Sequence, residues 1–353
     1  MTSEPLVTET EELKALALDS GADGVGVASV EAIDERAPDG YGVRDIYHDA
    51  KTVIVAGVDE GTEGAKKSGS SMVLWDSKIS RRGKRGQIRM ALNDTIEDEY
   101  GYESLRFPKG FKEGGMIPYG SLKVCAEEAG LGWRGINDIV LHPEHGANLG
   151  FTAVITNMPL ATDEPLEHNP CPTQFCKRAY ENAGITPCIS ACPVDALDGE
   201  ISEEGELVGR SYDRQKCMSC AMNTGAQRFA KELESVVNEE DPETRKLKLY
   251  SDDFQRTVTS MIRGTGWANC FECQTICPVG NEGAKRAMAD GGVDTENPSV
   301  EDVMKVREAA MADAPASEPR QEFDRGDTDG ASGATDGSSN ACGCDSCRCG
   351  GDR

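Results

Sequence analysis

The chain has 353 residues, a formal net charge of −25 and an isoelectric point near 4.6. Such an acid excess argues against a general nucleic-acid binder, because phosphate neutralisation needs clustered Lys and Arg; it suits a halophilic type of protein kept in solution in a salty cytosol. No apolar run reaches the roughly 18 residues needed to span a bilayer, and Met1-Thr2-Ser3-Glu4-Pro5 carries no basic or apolar leader, so a cytoplasmic protein without a membrane partner is expected.

From Glu11 to Ser20 the spacing of Leu13, Leu16 and Ala17 predicts a helix that Gly21 ends. Gly24 to Ala28 reads as a short buried strand, and Thr52 to Val58, with Val53-Ile54-Val55, as a second. A basic stretch follows (Lys78, Arg81, Arg82, Lys84, Arg85, Arg89) and runs into a helix through Leu92 and Ile96. It reads as a solvated face balancing nearby acids, with an anion contact as the alternative. After Tyr100-Gly101-Tyr102 comes a Gly-rich loop through Gly110, Gly114-Gly115 and Met116 to Gly120, then a helix from Ser121 to Ala129 with Leu122, Cys125 and Ala129 on one side. Cys125 reads as a small buried hydrophobe. Gly130-Leu131-Gly132-Trp133-Arg134-Gly135 turns the chain sharply. Ile139 to Leu141 and Thr152 to Thr156 are strands, joined by a turn whose His142 and His145 read as satisfied histidines. Strands alternating with helices over residues 10–165 indicate an α/β or α+β domain, and its Gly-rich turns would allow a large planar or phosphate-bearing ligand to approach the backbone.

The remainder is organised by cysteine. Fourteen cysteines in a reducing compartment point to metal rather than disulfides. Nine lie between Cys171 and Cys277, and both Cys188-Ile-Ser-Ala-Cys192-Pro193 and Cys273-Gln-Thr-Ile-Cys277-Pro278 have the form Cys-x-x-x-Cys-Pro. That is the second half of the bacterial ferredoxin pattern, in which the Cys before proline ligates the other of two cubane clusters. The crossing rule assigns Cys171, Cys176, Cys188 and Cys277 to one [4Fe-4S] cluster, and Cys192, Cys270, Cys273 and either Cys217 or Cys220 to the other. Two departures from plain ferredoxin spacing stand out: eleven residues separate Cys176 from Cys188, and a charged helical insertion at 223–262 splits the second motif. Zinc is the alternative, since Cys-x-x-Cys pairs also build tetrahedral sites, but zinc ribbons do not require Cys-x-x-x-Cys-Pro twice.

After about Asn297 one helix, Val300 to Met311, is predicted. Beyond it the Asp, Gly, Ser and Ala of Ala314 to Asn340 cannot bury a core and are expected to be disordered. Cys342, Cys344, Cys347 and Cys349 end the chain as a small thiolate group that could hold zinc or copper(I), or serve as a thiol reservoir. The expected domains are 1–165, a ferredoxin-like domain at 166–290, and an acidic tail at 291–353.

An ordered series of motifs resembles the cobamide-dependent iron–sulfur reductases, the group that includes epoxyqueuosine reductases and reductive dehalogenases. It runs through Leu13 to Ala17, Gly21 to Val27, Lys51 to Gly57, Ala129 to Gly135 and Thr156 to Leu160, then the two Cys-Pro runs, covering roughly residues 10–285. The resemblance implies an α+β protein: a nitroreductase-like α/β domain binding a corrinoid at Gly130, Leu131, Gly132, Trp133, Arg134 and Gly135, followed by a ferredoxin-like module with two [4Fe-4S] clusters that feeds electrons to cobalt. The aspartate that donates a proton in epoxyqueuosine reductases would fall near Met116, which has no acid beside it. Reductive dehalogenases use a tyrosine, so Tyr119 is the candidate donor, with Lys123 as a cationic helper. A cytosolic reductase resembling the dehalogenases is therefore expected, taking a small organic substrate and electrons from a ferredoxin or flavodoxin, with tRNA not expected as a partner. An epoxyqueuosine-reductase-like enzyme acting on tRNA and a non-catalytic electron carrier are the alternatives.

Overall fold

In the computed structural model, which describes residues 5–61, 64–65, 71–108, 119–221, 226–251, 254–255, 257–258, 272–280, 282–289 and 292–312, the β-branched run at Val53 lies at the heart of a sheet. Strand β1 (Gly24–Ser29), β2 (Thr52–Asp59), β3 (Ser104–Arg106) and β6 (Leu149–Thr156) pair antiparallel in the order β1-β2-β6-β3. Every residue of β2 is buried. Because successive side chains alternate faces, Val53 and Val55 enter a core with helix α2 (Val30–Glu35) and α4 (Leu122–Glu128). Ile54, Ala56 and Val58 enter the opposite core with α1 (Val7–Asp19) and α3 (Ser71–Asp94), the last continuing as a π-helical turn over Thr95–Glu99. The first half is thus a sheet with helices on both faces. Two short strands, β4 (Trp133–Arg134) and β5 (Val140–Leu141), pair beside it.

The cysteine-rich half contains α5 (Gln174–Ala183), α6 (Pro187–Ala191), the hairpin β7 (Leu197–Ile201) and β8 (Leu207–Tyr212), α7 (Arg214–Ala221), α8 (Ala226–Val237), α9 (Pro242–Leu249), α10 (Glu272–Thr275), α11 (Glu282–Ala289) and α12 (Val300–Ala312). Phe175, Ala179, Ala191 and Ile276 pack with Val293, Val303 and Val306. Val303 and Val306 of α12 thus pack with the cysteine-rich half. Residues 313–353, with the four terminal cysteines, lie outside the described residues.

The two halves meet at a seam of close backbone contact. Gly146 (φ +56°) turns the chain before β6, and a Cβ there would lie 2.0 Å from the carbonyl oxygen of Val279. Only glycine permits that approach.

The basic stretch corrects the sequence reading. It was expected as a solvated face, yet α3 turns several of its cations inward. Arg89 Nη1 donates to Thr152 Oγ1 on β6 at 2.6 Å, and Arg81 Nη1 to the carbonyl of Asp59 at 2.9 Å. Arg85 is ion-paired with buried Glu60, and buried Lys78 reaches across the seam to donate to Gln274 Oε1 at 2.6 Å. Their partners lie up to 196 residues away in the chain, so local spacing could not show which way they face.

Candidate functional site

Local sequence explains how each thiol is placed. Thr173 caps α5 by accepting from the Cys176 amide at 3.3 Å, and Gly184 (φ +67°) ends that helix. Pro187 opens α6, which carries Cys188; Cys192 follows in extended conformation, as a residue before proline should. Cys171, Cys176, Cys188 and Cys277 are all buried, and three of them pack with Ile136, Leu141 and Ala147 from the first half.

These four thiols influence one another. Burial pushes Cys171 up to about 12, with the charge of Cys176 adding to it. Burial likewise raises Cys176 and Cys188. Cys277 is raised well above its ordinary value, by burial and then by Cys171, Cys188 and Cys176. Bare thiolates are thus disfavoured, whereas thiolates bound to a cationic metal group are not. Hydrogen bonds to sulfur are already in place: Thr173 Oγ1 donates to Cys176 Sγ at 3.2 Å, and the buried Thr186 hydroxyl lies 3.3 Å from Cys188 Sγ. Among the described residues no three His, Cys, Asp or Glu side chains close on a single-ion site. Four buried thiols, two of them hydrogen-bonded by threonine hydroxyls, are a donor set of the kind that holds an iron–sulfur cluster.

Of the second predicted set, Cys192, Cys217 and Cys273 are half-buried. The Ala196 amide donates to Cys192 Sγ at 3.2 Å, and Tyr212, raised first by burial, is hydrogen-bonded to Cys217. Cys273 packs beside the first set, and Asn137 Nδ2 lies 3.4 Å from its carbonyl oxygen. Cys270 and the side chain of Cys220 lie outside the described residues. Cys125 sits fully buried in the sandwich core, where burial raises its thiol; the structure leaves it a hydrophobe.

The turn from Gly130 to Gly135 is occupied by the protein itself. A Cβ on Gly130 (φ +70°) would lie 2.6 Å from the Glu164 carbonyl oxygen, and one on Gly132 (φ +150°) 2.5 Å from that of Leu141. A Cβ on Gly135 would meet Leu141 at 2.7 Å and Cys171 Sγ at 3.2 Å. Leu131 is buried in the core, and Trp133 Nε1 donates to the Leu166 carbonyl at 2.7 Å. Arg134 binds Glu127 Oε1 through its amide at 2.8 Å and its Nε at 3.0 Å. Burial would raise the Glu127 carboxyl, but Arg134 and Arg36 outweigh it and hold it below the usual range. Gly130 and Gly132 are thus packed closely against backbone carbonyls and Gly135 against side chains, while the half-buried Trp133 and Arg134 hydrogen-bond within the chain.

Tyr119 is 38% exposed at the entrance to α4, and Met116 lies outside the described residues. Lys123 is engaged: its Nζ donates to Asp138 Oδ2 at 2.6 Å, and Asp138 sits in left-handed backbone (φ +55°). His142 and His145 are satisfied, the first accepting the Glu144 amide at 3.1 Å and the second 3.2 Å from Asp59 Oδ2. A cavity of about 500 Å³ opens beside β3, lined by Tyr47, Glu97, Tyr102 and Glu103; no predicted site residue lines it. No helix among the described residues is long and apolar enough to cross a membrane.

The mixed α/β fold is what the iron–sulfur reductase resemblance implied. No family model matches the chain. Its sequence relatives are epoxyqueuosine reductases, which bears that resemblance out. The Bacillus cereus protein is 25% identical over 217 residues, 58% of this chain and 44% of its own length. The one from Cyclobacterium marinum is 25% identical over 288 residues, 76% of this chain and 78% of its own. The match thus spans less than half the length of the Bacillus cereus relative. Among solved structures, an epoxyqueuosine reductase with an epoxyqueuosine-modified tRNA stem loop aligns at a TM-score of 0.46 and 17% identity, covering 78% of this chain and 66% of that one. The catabolic reductive dehalogenase NpRdhA aligns at 0.48 and 17%, covering 89% and 36%.

One partner needs correcting. tRNA was not expected, on grounds of charge and of the missing aspartate near Met116, yet the sequence relatives are epoxyqueuosine reductases. Net charge sums over a whole chain and does not decide what one face binds.

Proposed function

We propose that the chain is an iron–sulfur reductase of the epoxyqueuosine reductase and reductive dehalogenase group. Its proposed substrate is the epoxyqueuosine nucleoside of tRNA, as the names of its relatives indicate. The observation that carries this is the burial of Cys171, Cys188 and Cys277 in one cluster, with Cys176 also buried. An iron–sulfur cluster bound there would pass electrons one at a time, supplied by a ferredoxin- or flavodoxin-type donor. The chain's own residues do the remaining work. Thr173 and Thr186 hydrogen-bond the sulfurs, while Ile136, Leu141 and Ala147 keep water from them. Asn137 ties the seam to the second Cys-Pro run. No step is assigned to a corrinoid. A second reading, a small free organic substrate, is favoured by the inward direction of the basic helix.

The test is anaerobic reconstitution with iron and sulfide, followed by metal analysis with and without added cobalamin. About eight irons per chain are expected if both sets of thiols load. The reduced protein is then offered epoxyqueuosine-containing tRNA and, separately, a halogenated phenol. Turnover of the tRNA supports the first reading and turnover of the phenol the second. A chain that retains no iron or sulfide overturns both.

A further inference from the structure

Thr186 sits where α6 begins, in the run Ile185-Thr186-Pro187-Cys188. A threonine at a helix N-cap ordinarily accepts a hydrogen bond from an amide of the first turn. Thr186 does not: its backbone is extended (φ −117°, ψ 164°), its side chain makes no capping bond, and the residue is wholly buried. A buried hydroxyl needs a partner. Among the described residues the partner of this one is Cys188 Sγ, at 3.3 Å.

Thr173 offers the contrast. Its Oγ1 also reaches a sulfur, Cys176 Sγ at 3.2 Å, but the same oxygen accepts the Cys176 amide at 3.3 Å and so caps α5. Removing that hydroxyl would disturb a helix as well as a sulfur, whereas the Thr186 hydroxyl serves the sulfur alone. A free thiol could donate to it; a thiolate bound to metal can only accept, so on loading the hydroxyl becomes the donor. Burial among Ile136, Leu141 and Ala147 makes the added negative charge of a reduced cluster unfavourable at Cys171, Cys188 and Cys277. A hydrogen bond donated to sulfur strengthens as that charge grows, and so offsets part of the penalty.

Resting on the iron–sulfur reading above, we infer that Thr186 is a positioning residue whose hydroxyl raises the reduction potential of the centre held by Cys171, Cys176, Cys188 and Cys277. It thereby keeps a centre buried against the first half within reach of a one-electron donor. The role belongs to the hydroxyl and not to the shape of the side chain, so serine should preserve it and valine should not.

The experiment is a redox titration followed by electron paramagnetic resonance on the full chain, reconstituted anaerobically, as wild type, Thr186→Val, Thr186→Ser and Thr186→Ala. Valine keeps the β-branched shape that suits extended backbone and removes only the hydroxyl. Iron and sulfide contents are measured first. The expected result is wild-type iron in all four and a midpoint close to wild type in Thr186→Ser. In Thr186→Val one midpoint should move to more negative potential by about tenfold in the reduction equilibrium, which is about 59 mV for one electron. Unchanged midpoints in Thr186→Val, or an equal shift in Thr186→Ser, overturn the inference. Loss of iron in Thr186→Val and Thr186→Ala alike makes Thr186 a structural residue and overturns it too. If Thr186→Val alone loads poorly, the contrast between Thr186→Ala and Thr186→Ser decides. A wild-type chain without iron refutes the reading underneath, which is a separate and distinguishable failure.

Discussion

Along β2, aliphatic side chains alternate into two cores, one on each face of the sheet; along the Cys-Pro runs, the side chains that converge are thiols. Burying Val53, Ile54 and Val55 stabilises the sandwich directly, at about 1.5–3 kcal/mol for each full side chain. Burying four thiols stabilises little by itself and, as the raised thiols show, opposes the thiolate form that metal requires. Both halves have packed apolar cores, but only the second also buries thiols beside its core, and on the proposed reading those thiols hold a cluster. The seam couples the two.

The strongest way to break this contrast is Cys277→Ser. It should remove about half of the bound iron and loosen the cysteine-rich half, with the sandwich still folded. Iron analysis with limited proteolysis checks this, and full iron retention would place Cys277 outside the cluster. Next comes Glu127→Gln, which leaves Arg134 and Arg36 without their buried carboxylate. A loss on the order of 3 kcal/mol is expected at pH 7. The sign with pH follows from the depressed carboxyl: its contribution is present above the ordinary value of 4.5 and lost as pH falls through the lower folded value. Denaturant melts from pH 7 to pH 3 should therefore show the gap between wild type and variant closing in acid; a constant gap would contradict the ion-pair account.

Ile54→Ala tests the other half. A fully buried isoleucine reduced to alanine should cost roughly 3 kcal/mol while iron content stays at the wild-type level. Iron loss in this variant would mean that the halves are not separable. Smallest is Gly146→Ala, where left-handed backbone costs about 1–3 kcal/mol and the new Cβ meets Val279. Although it lies in the first half, its effect should appear as slower or incomplete iron loading in the second.

Much of this was legible before any coordinates. Val53-Ile54-Val55 and Thr152 to Thr156 announce strands because β-branched residues fit a pleated, buried surface. Other elements were silent. Strand β3 has only three residues, and β7 reads Leu-Asp-Gly-Glu-Ile, whose polar members have little strand preference; pairing with β8 makes it a strand. The Gly130–Gly135 turn was legible as a sharp turn. What filled it was not, because Glu164, Leu141 and Leu166 come from other parts of the chain.

The sequence by itself determined the ferredoxin-like spacing: ligand spacing is local, so two Cys-Pro runs carry that pattern wherever they occur. It also determined the sandwich core, since hydrophobic periodicity is written residue by residue. Only the tertiary structure decided which thiols pack together and where the basic helix points. Both depend on contacts between residues far apart in the chain, as between Cys171 and Cys277 or Lys78 and Gln274, and distance in space is not encoded in any local pattern.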